Sequence, residues 1–227
     1  MKRTLVVIAV LLVGLWAWTR HTQAVDQRAL SSVAGQLAGK PVHVHCQSWL
    51  AQLVDVGASS GHVPWDQSGR PAAKTYLIRS VCKLLTHFRT VSTHRELDCL
   101  LTVDWRRWSY NRDSYGSCAQ RAGPMAEAIN TLTHESMHMH GWAAEATAQC
   151  YAIQEDAWTT GQLGGTPEQG RAVAAFILAM QPGLPTEYQS GLCTAGGALD
   201  LHPETPEFPT ERNPTPPPAT SRQALGQ

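Results

Sequence analysis

The chain has 227 residues, 43% of them hydrophobic, and its 18 Lys and Arg residues balance its 18 Asp and Glu residues. A formal net charge of zero, with the charges scattered along the chain, gives no electrostatic case for binding nucleic acid. The composition is that of a globular protein rather than a repeat or low-complexity protein, and the length suffices for one modest domain.

The first 24 residues have the pattern of an export signal. Lys2 and Arg3 precede an apolar run from Leu5 to Trp18, which is short for a membrane span of about 20 residues. Small residues at the end of this segment suit cleavage, whereas its tryptophans suit a membrane interface. Residues 1–24 are therefore expected to be a signal peptide or an N-terminal membrane anchor. The protein is expected to be extracytoplasmic, secreted or anchored, and to meet a membrane only through this segment.

Six cysteines follow the export segment, and none of them forms a CxxC pair. An even number of cysteines in an exported chain indicates disulfides, with buried free thiols as the alternative. We expect Cys150 to pair with Cys193, because the segment that carries Cys193 must pack back onto the helices for the domain to close. The six residues are Cys46, Cys82, Cys99, Cys118, Cys150 and Cys193.

The half of the chain before Pro124 is predicted to hold short elements separated by loops. Residues 42–45 alternate apolar and polar side chains, as half-buried strands do. Residues 57–71 are rich in Gly, Ser and Pro, which is typical of loops. In chain order the predicted elements are a helix at 26–37, a strand at 42–45, a loop at 57–71, a strand at 75–78, a helix at 80–88 and a loop with some helix at 104–123.

The following segments are predicted to be helical. Pro124 fits the first turn of a helix, and Met125, Ile129 and Leu132 follow at the spacing of a core-facing stripe. This helix is expected to span 124–140, because Gly141 is suited to end it. Further helices are predicted at 143–160 and after the capping box at 166–169, and a Pro- and Thr-rich tail at 203–227 is predicted to be disordered. The fold class expected for residues 25–202 is mainly α with a small β portion (α+β), a single domain stabilised by disulfides.

The motif that carries chemistry is His134-Glu135-Ser136-Met137-His138. Two histidines four residues apart on a helix lie about 40° apart around its axis, so both imidazoles can reach one metal ion. Glu135 then lies beside the metal without having to ligate it. It can take a proton from water, whose pKa zinc lowers to about 7, and pass it on to a leaving amine.

Glu145 is the candidate for a third metal ligand. On an uninterrupted helix it would lie about 10 Å beyond His138 along the axis, which is too far to share an ion. It can therefore ligate only if the chain reverses, and Gly141 is the residue that permits a reversal. Otherwise Glu145 is an exposed helical carboxylate, and Glu155 and Asp156 are the next candidates.

Two other side chains, those of His140 and Tyr151, are further candidates for a role in the site. His140 lies about 240° around the helix from His134, so it is not expected to bind the metal. Tyr151 could donate its hydroxyl to an oxyanion, although a packed aromatic side chain explains it as well.

The HExxH segment resembles the active-site helix of the zincin metallopeptidases, and a ligating Glu on the next helix resembles their gluzincin branch. The resemblance implies a zincin-like active-site helix with His134, His138 and Glu145 on a Zn²⁺ ion and Glu135 as general base. The distance in sequence to Glu145 is shorter than gluzincins usually show. Gly141 matches the glycine of the metzincin branch, but Ala144 stands where that branch has its third ligand. Residues 191–201 look like the C-terminal end of uncharacterised exported bacterial proteins, a likeness that implies no activity.

The sequence therefore predicts an exported zinc-dependent hydrolase, a metallopeptidase that acts on a peptide or protein substrate. The alternative is a non-catalytic exported domain in which the same histidines hold a structural metal or none. Structural zinc sites are usually closed by four protein ligands, and three candidates are visible here, which favours the catalytic interpretation.

Overall fold

The computed structural model describes residues 24–48, 60–91, 93–105, 116–205 and 207–209, together with Gly14, Trp108 and Tyr110. Most of the predicted export segment and most of the predicted disordered tail lie outside the described residues. Within the described ranges, no helix is both long enough and apolar enough to cross a membrane.

Six helices and a small sheet make up the described chain, which confirms the expected mainly helical fold with a minor β portion. Residues 24–38 are helical and are named α1. The strands are β1 His43–Cys46, β2 Gly61–His62 and β3 Lys74–Leu77. The further α-helices are α2 Arg79–Thr90, α3 Arg95–Asp98, α4 Ser117–His140, α5 Glu145–Gln162 and α6 Pro167–Met180. Short 3-10 helices span Cys99–Thr102, Gln181–Gly183 and Thr186–Tyr188.

Most predicted bounds lie within two residues of the observed ones, but two predictions were wrong. The helix expected to begin at Pro124 begins at Ser117, so Pro124 lies inside α4 instead of at its first turn. Part of the segment predicted as loop with some helix therefore belongs to α4. The predicted loop at 57–71 contains β2, because pairing with β3 makes a strand of two residues that are too few to show an alternating pattern.

The sheet has the strand order β1-β3-β2, so β2 lies at one edge. β1 runs parallel to β3 with His43 opposite Lys74, and β2 runs antiparallel to β3 with Gly61 opposite Leu77. Helix α4 packs against both β3 and β2. The edge strand therefore lies beside the helix that carries the HExxH motif.

Helix α4 is the central element of the core. It contacts α2 and the sheet as well as α5 and α6, and every residue from Leu132 to Met139 is buried. Because a helix covered on most faces has little solvent contact, its polar residues must find partners inside the protein. The buried polar residues of this stretch include His134, Glu135 and His138.

Three disulfides join distant parts of the chain. Cys46–Cys82 links β1 to α2, Cys99–Cys118 links the 3-10 helix at residues 99–102 to the start of α4, and Cys150–Cys193 links α5 to the C-terminal segment. The last of these joins the two cysteines that the sequence analysis expected to pair. Disulfides in this number are typical of proteins outside the reducing cytosol.

Close packing of α6 against α5 gives a testable prediction. A Cβ atom at Gly170 would lie 2.6 Å from the carbonyl oxygen of Ala157, whereas a Cβ at Gly161 would meet nothing within 4 Å. We expect Gly170→Ala to lower the free energy of unfolding by about 1–3 kcal/mol, because backbone would have to move. Gly161→Ala, the matched control, should leave it unchanged or raise it by about 0.5–1 kcal/mol. Denaturant unfolding followed by circular dichroism would measure both, and equal stabilities would contradict the packing described.

Candidate metal centre

The end of α4 is a sharp reversal at Gly141. This glycine has φ 128°, which side-chain-bearing residues rarely adopt. Its N–H donates to the His138 carbonyl at 2.9 Å, and the Trp142 N–H donates to the Met137 carbonyl at 3.2 Å. These two bonds are those of a Schellman motif. The chain turns back at once, and α5 begins at Glu145.

The reversal brings three potential ligand atoms together. His134 Nε2 lies 2.9 Å from His138 Nε2, and Glu145 Oε2 lies 3.0 Å from the first and 3.2 Å from the second. Both histidines are buried, and Glu145 is partly exposed. Two imidazoles and a carboxylate that converge on one point form a group that could hold a metal ion.

The hydrogen bonding of His138 shows which of its ring nitrogens can act as a ligand. His138 Nδ1 lies 2.6 Å from the carbonyl oxygen of Trp142. Because a carbonyl only accepts, Nδ1 carries the proton, and Nε2 of the neutral ring presents a lone pair. That lone pair faces the Glu145 carboxylate and the His134 Nε2. Only a proton or a metal ion placed between these atoms satisfies all three.

The pKa values of the three groups follow from the same geometry. Burial lowers the pKa of His134. Burial would also lower that of His138, but the hydrogen bond to Glu145 and the charges of Glu135 and Glu145 outweigh it and raise the pKa. The two histidine rings beside Glu145, which donate to it when they are protonated, hold the pKa of this carboxyl well below its usual range. The carboxylate thus stays charged and attracts a cation to the pair of imidazoles.

Glu135 lies beside this group and faces the same cleft. The residue is 4% exposed, and its Oε2 has no hydrogen-bond partner among the described residues. Burial raises the pKa of Glu135 to about 7, against the opposing charge of His138. Gly61 of β2 packs against it so closely that a Cβ there would lie 2.8 Å from Glu135 Cγ. A glycine in the edge strand is therefore what makes room for the carboxylate.

An open cleft gives access to the group. Its volume is about 440 Å³. The walls come from residues 60–65, one face of α4, the first turns of α5, the end of α6 and the segment at 184–188. The Trp65 ring lies 6.1 Å from that of His138, and the Tyr188 ring lies 5.6 Å from that of His134. A ligand in the cleft would therefore contact the metal-binding atoms directly.

The structure separates the remaining candidates from the group. Neither Glu155 nor Asp156 belongs to it, and Asp156 accepts a hydrogen bond of 2.9 Å from Asn130. His140 points elsewhere, with Nδ1 3.2 Å from the Leu37 carbonyl. Tyr151 is buried and packs its ring against Trp142.

Sequence reasoning missed several residues of the site. Tyr188 lies after the last long helix, in a segment whose irregular sequence shows no periodicity. Trp142 contributes its backbone carbonyl, and because every residue has one, the residue type could not indicate this role. Gly61 and Trp65 belong to a segment that was predicted as loop. The only signal in the sequence was the presence of a glycine and an aromatic residue in this loop, which does not by itself indicate a place in the site.

Comparisons of the chain with protein-family models, with curated proteins and with solved structures find no match in any of the three. The likeness of the HExxH segment to the zincin helix therefore stays a prediction.

The ligand set makes a first prediction for this site. The purified protein, stripped of metal and titrated with Zn²⁺, should bind one ion per chain. His134→Ala, His138→Ala and Glu145→Ala should each weaken binding by at least about 100-fold, because each removes a ligand atom. The exposed His43→Ala serves as the control and should bind like the wild type. Equal zinc affinity in all five proteins would contradict the site.

The turn makes a second prediction. Gly141→Val should weaken zinc binding at least about tenfold although residue 141 provides no ligand atom, because a β-branched residue strains this backbone and shifts Glu145. Gly191→Val is the matched control, since Gly191 lacks a positive φ and a Cβ there would meet nothing within 4 Å. The same titration measures both variants. Unchanged affinity in Gly141→Val would show that Glu145 does not depend on the turn.

Proposed function

We propose that this protein is an extracytoplasmic zinc-dependent hydrolase that acts on peptide bonds. The observation that carries the proposal is the convergence of His134, His138 and Glu145 beside the buried Glu135 in an open cleft. The three disulfides support a location outside the cytosol. The apolar N-terminal run supports secretion or anchoring as the route.

The donor set supports zinc as the ion. Two imidazole nitrogens and one carboxylate oxygen are a common ligand set of catalytic zinc, which keeps one position open for water or substrate. A structural zinc site would need a fourth protein ligand, and the group found among the described residues has three. The count therefore favours catalysis over a purely structural metal.

The chemistry divides between the ion and the chain. Zinc bound here would polarise a carbonyl and acidify water. Glu135 would accept the proton of the attacking water and return it to the leaving amine, as a general base and then a general acid. Its burial in the core and the close fit against Gly61 hold the carboxylate in position. The Trp142 carbonyl keeps the His138 ring in the orientation that directs Nε2 toward the ion.

The shape of the cleft supports a peptide substrate. Gly61, His62 and Val63 line it, and Gly61 and His62 form the edge strand of the sheet. An edge strand can pair with an extended peptide through backbone hydrogen bonds. Such pairing would lay a peptide along the cleft with its backbone beside the metal-binding group.

Substitution of the base tests the proposed mechanism. Glu135→Gln should keep its zinc but lose hydrolysis by about 10²–10⁴-fold, because a neutral amide cannot accept the proton. Glu168→Gln, at an exposed position in the first turn of α6, is the control and should keep the wild-type rate. The measurement is cleavage of a mixed peptide library by the zinc-loaded proteins, with and without a chelator.

Two outcomes would contradict the proposal. If wild-type protein that holds zinc cleaves no peptide in the library, the substrate class is wrong. If the wild type cleaves and Glu135→Gln retains its rate, Glu135 is not the base.

A further inference from the structure

Glu127 is a carboxylate of the cleft that the proposed reaction does not use. It lies on α4, and Thr131 and His134 follow it at helical spacing on the face that lines the cleft. Glu127 precedes His134 by seven positions. At 1.5 Å per residue, this places Glu127 about 10 Å along the helix from the metal-binding group. An extended Lys or Arg side chain of a bound substrate, together with its hydrogen bond to a carboxylate, spans a comparable distance from the reacting carbonyl.

The charges of the cleft favour a cationic ligand. Its described lining residues include three carboxylates, those of Glu127, Glu135 and Glu145, and no Lys or Arg. The Glu145 carboxylate already interacts with the two histidines, and Glu135 is buried beside them. In the described part of the chain, no Lys or Arg pairs with Glu127. Of the three carboxylates that line the cleft, Glu127 is therefore the one available to pair with a cationic ligand.

The apolar walls of the cleft suit the stem of a long basic side chain. Ile177 and Met180 of α6 and Leu184 after it line the cleft with apolar atoms. Lys and Arg side chains pack their methylene stems on apolar surface and extend their charge to a polar partner. Partial burial raises the pKa of Glu127, and a paired cation would remove part of that desolvation cost. A cleft that combines this carboxylate with apolar side chains is thus matched to Lys or Arg better than to a purely apolar residue.

We propose that the cleft binds a substrate with Lys or Arg next to the bond that is cleaved, and that Glu127 pairs with the charge of that side chain. The inference rests on the proposed hydrolase function and names its substrate class.

Binding of small inhibitors tests the inference without requiring hydrolysis. Hydroxamates bind active-site zinc, so the probes are a pair that differ only in the end of the side chain, one derived from arginine and one from norleucine. Each is made in two forms, with the side chain on the acyl or on the amine side of the zinc-binding group. In one of the two forms, the arginine compound should bind zinc-loaded wild type about tenfold more tightly than its norleucine partner.

Two variants test whether Glu127 causes the preference for the arginine compound. Glu127→Gln should bind the arginine and norleucine compounds equally, whereas Glu168→Gln, outside the cleft, should keep the preference for arginine. Equal binding of the two compounds to the wild type in both forms would overturn the inference. So would a preference that survives in Glu127→Gln, or the failure of all four compounds to bind.

Cleavage separates this inference from the proposed function. If the arginine preference depends on Glu127 but no peptide is cleaved, recognition of the cationic side chain stands and the hydrolase is rejected. If peptides are cleaved with no preference for Lys or Arg on either side of the bond, the hydrolase stands and the role of Glu127 is rejected.

Discussion

The reversal of the chain at Gly141 is the constraint on which the grouping of His134, His138 and Glu145 depends. One turn ends α4, presents the Trp142 carbonyl to His138 Nδ1 and starts α5 at Glu145. Two of the three side chains, those of His138 and Glu145, are thus positioned by the same few backbone hydrogen bonds, and the third, His134, lies one helical turn before His138. Because a positive φ at residue 141 is required for this path, the geometry of the site is decided by a residue that touches no ligand.

The site is built into the central helix of the core, where unpaired polar groups are costly. Burying a histidine or a carboxylate without a partner costs several kcal/mol. Here the groups face one another, and a cation between them would satisfy all of them. A buried network continues from α4 to α5, where Asn130 donates to Asp156 and Gln149 donates to Asn130. Burial raises the pKa of Asp156 to about 8, and its hydrogen bond with Asn130 joins the two helices.

The sequence predicted best those elements whose signals are local. Helix α6 opens with the capping box of Thr166 and Gln169, and both hydrogen bonds of that box are present. Pro124 misled the prediction for α4, because proline is most common in the first turn of a helix, whereas this helix begins seven residues earlier, at Ser117. The edge strand β2 was missed because two residues carry no alternation, and only their partner strand gives them an extended structure.

By itself the sequence determined that His134 and His138 share one face of a helix, that Gly141 can end that helix, and that six cysteines are available for pairing. These properties follow from helical periodicity and from the backbone freedom of one residue, which do not depend on distant parts of the chain. Only the tertiary structure decided that Glu145, rather than Glu155 or Asp156, meets the histidines, and that Gly61, Tyr188 and Glu127 border the same cleft. These residues come from four separate elements or segments, and their meeting depends on how the helices pack and where the sheet lies against α4. Packing of that kind arises from contacts between residues far apart in sequence, which no local pattern encodes.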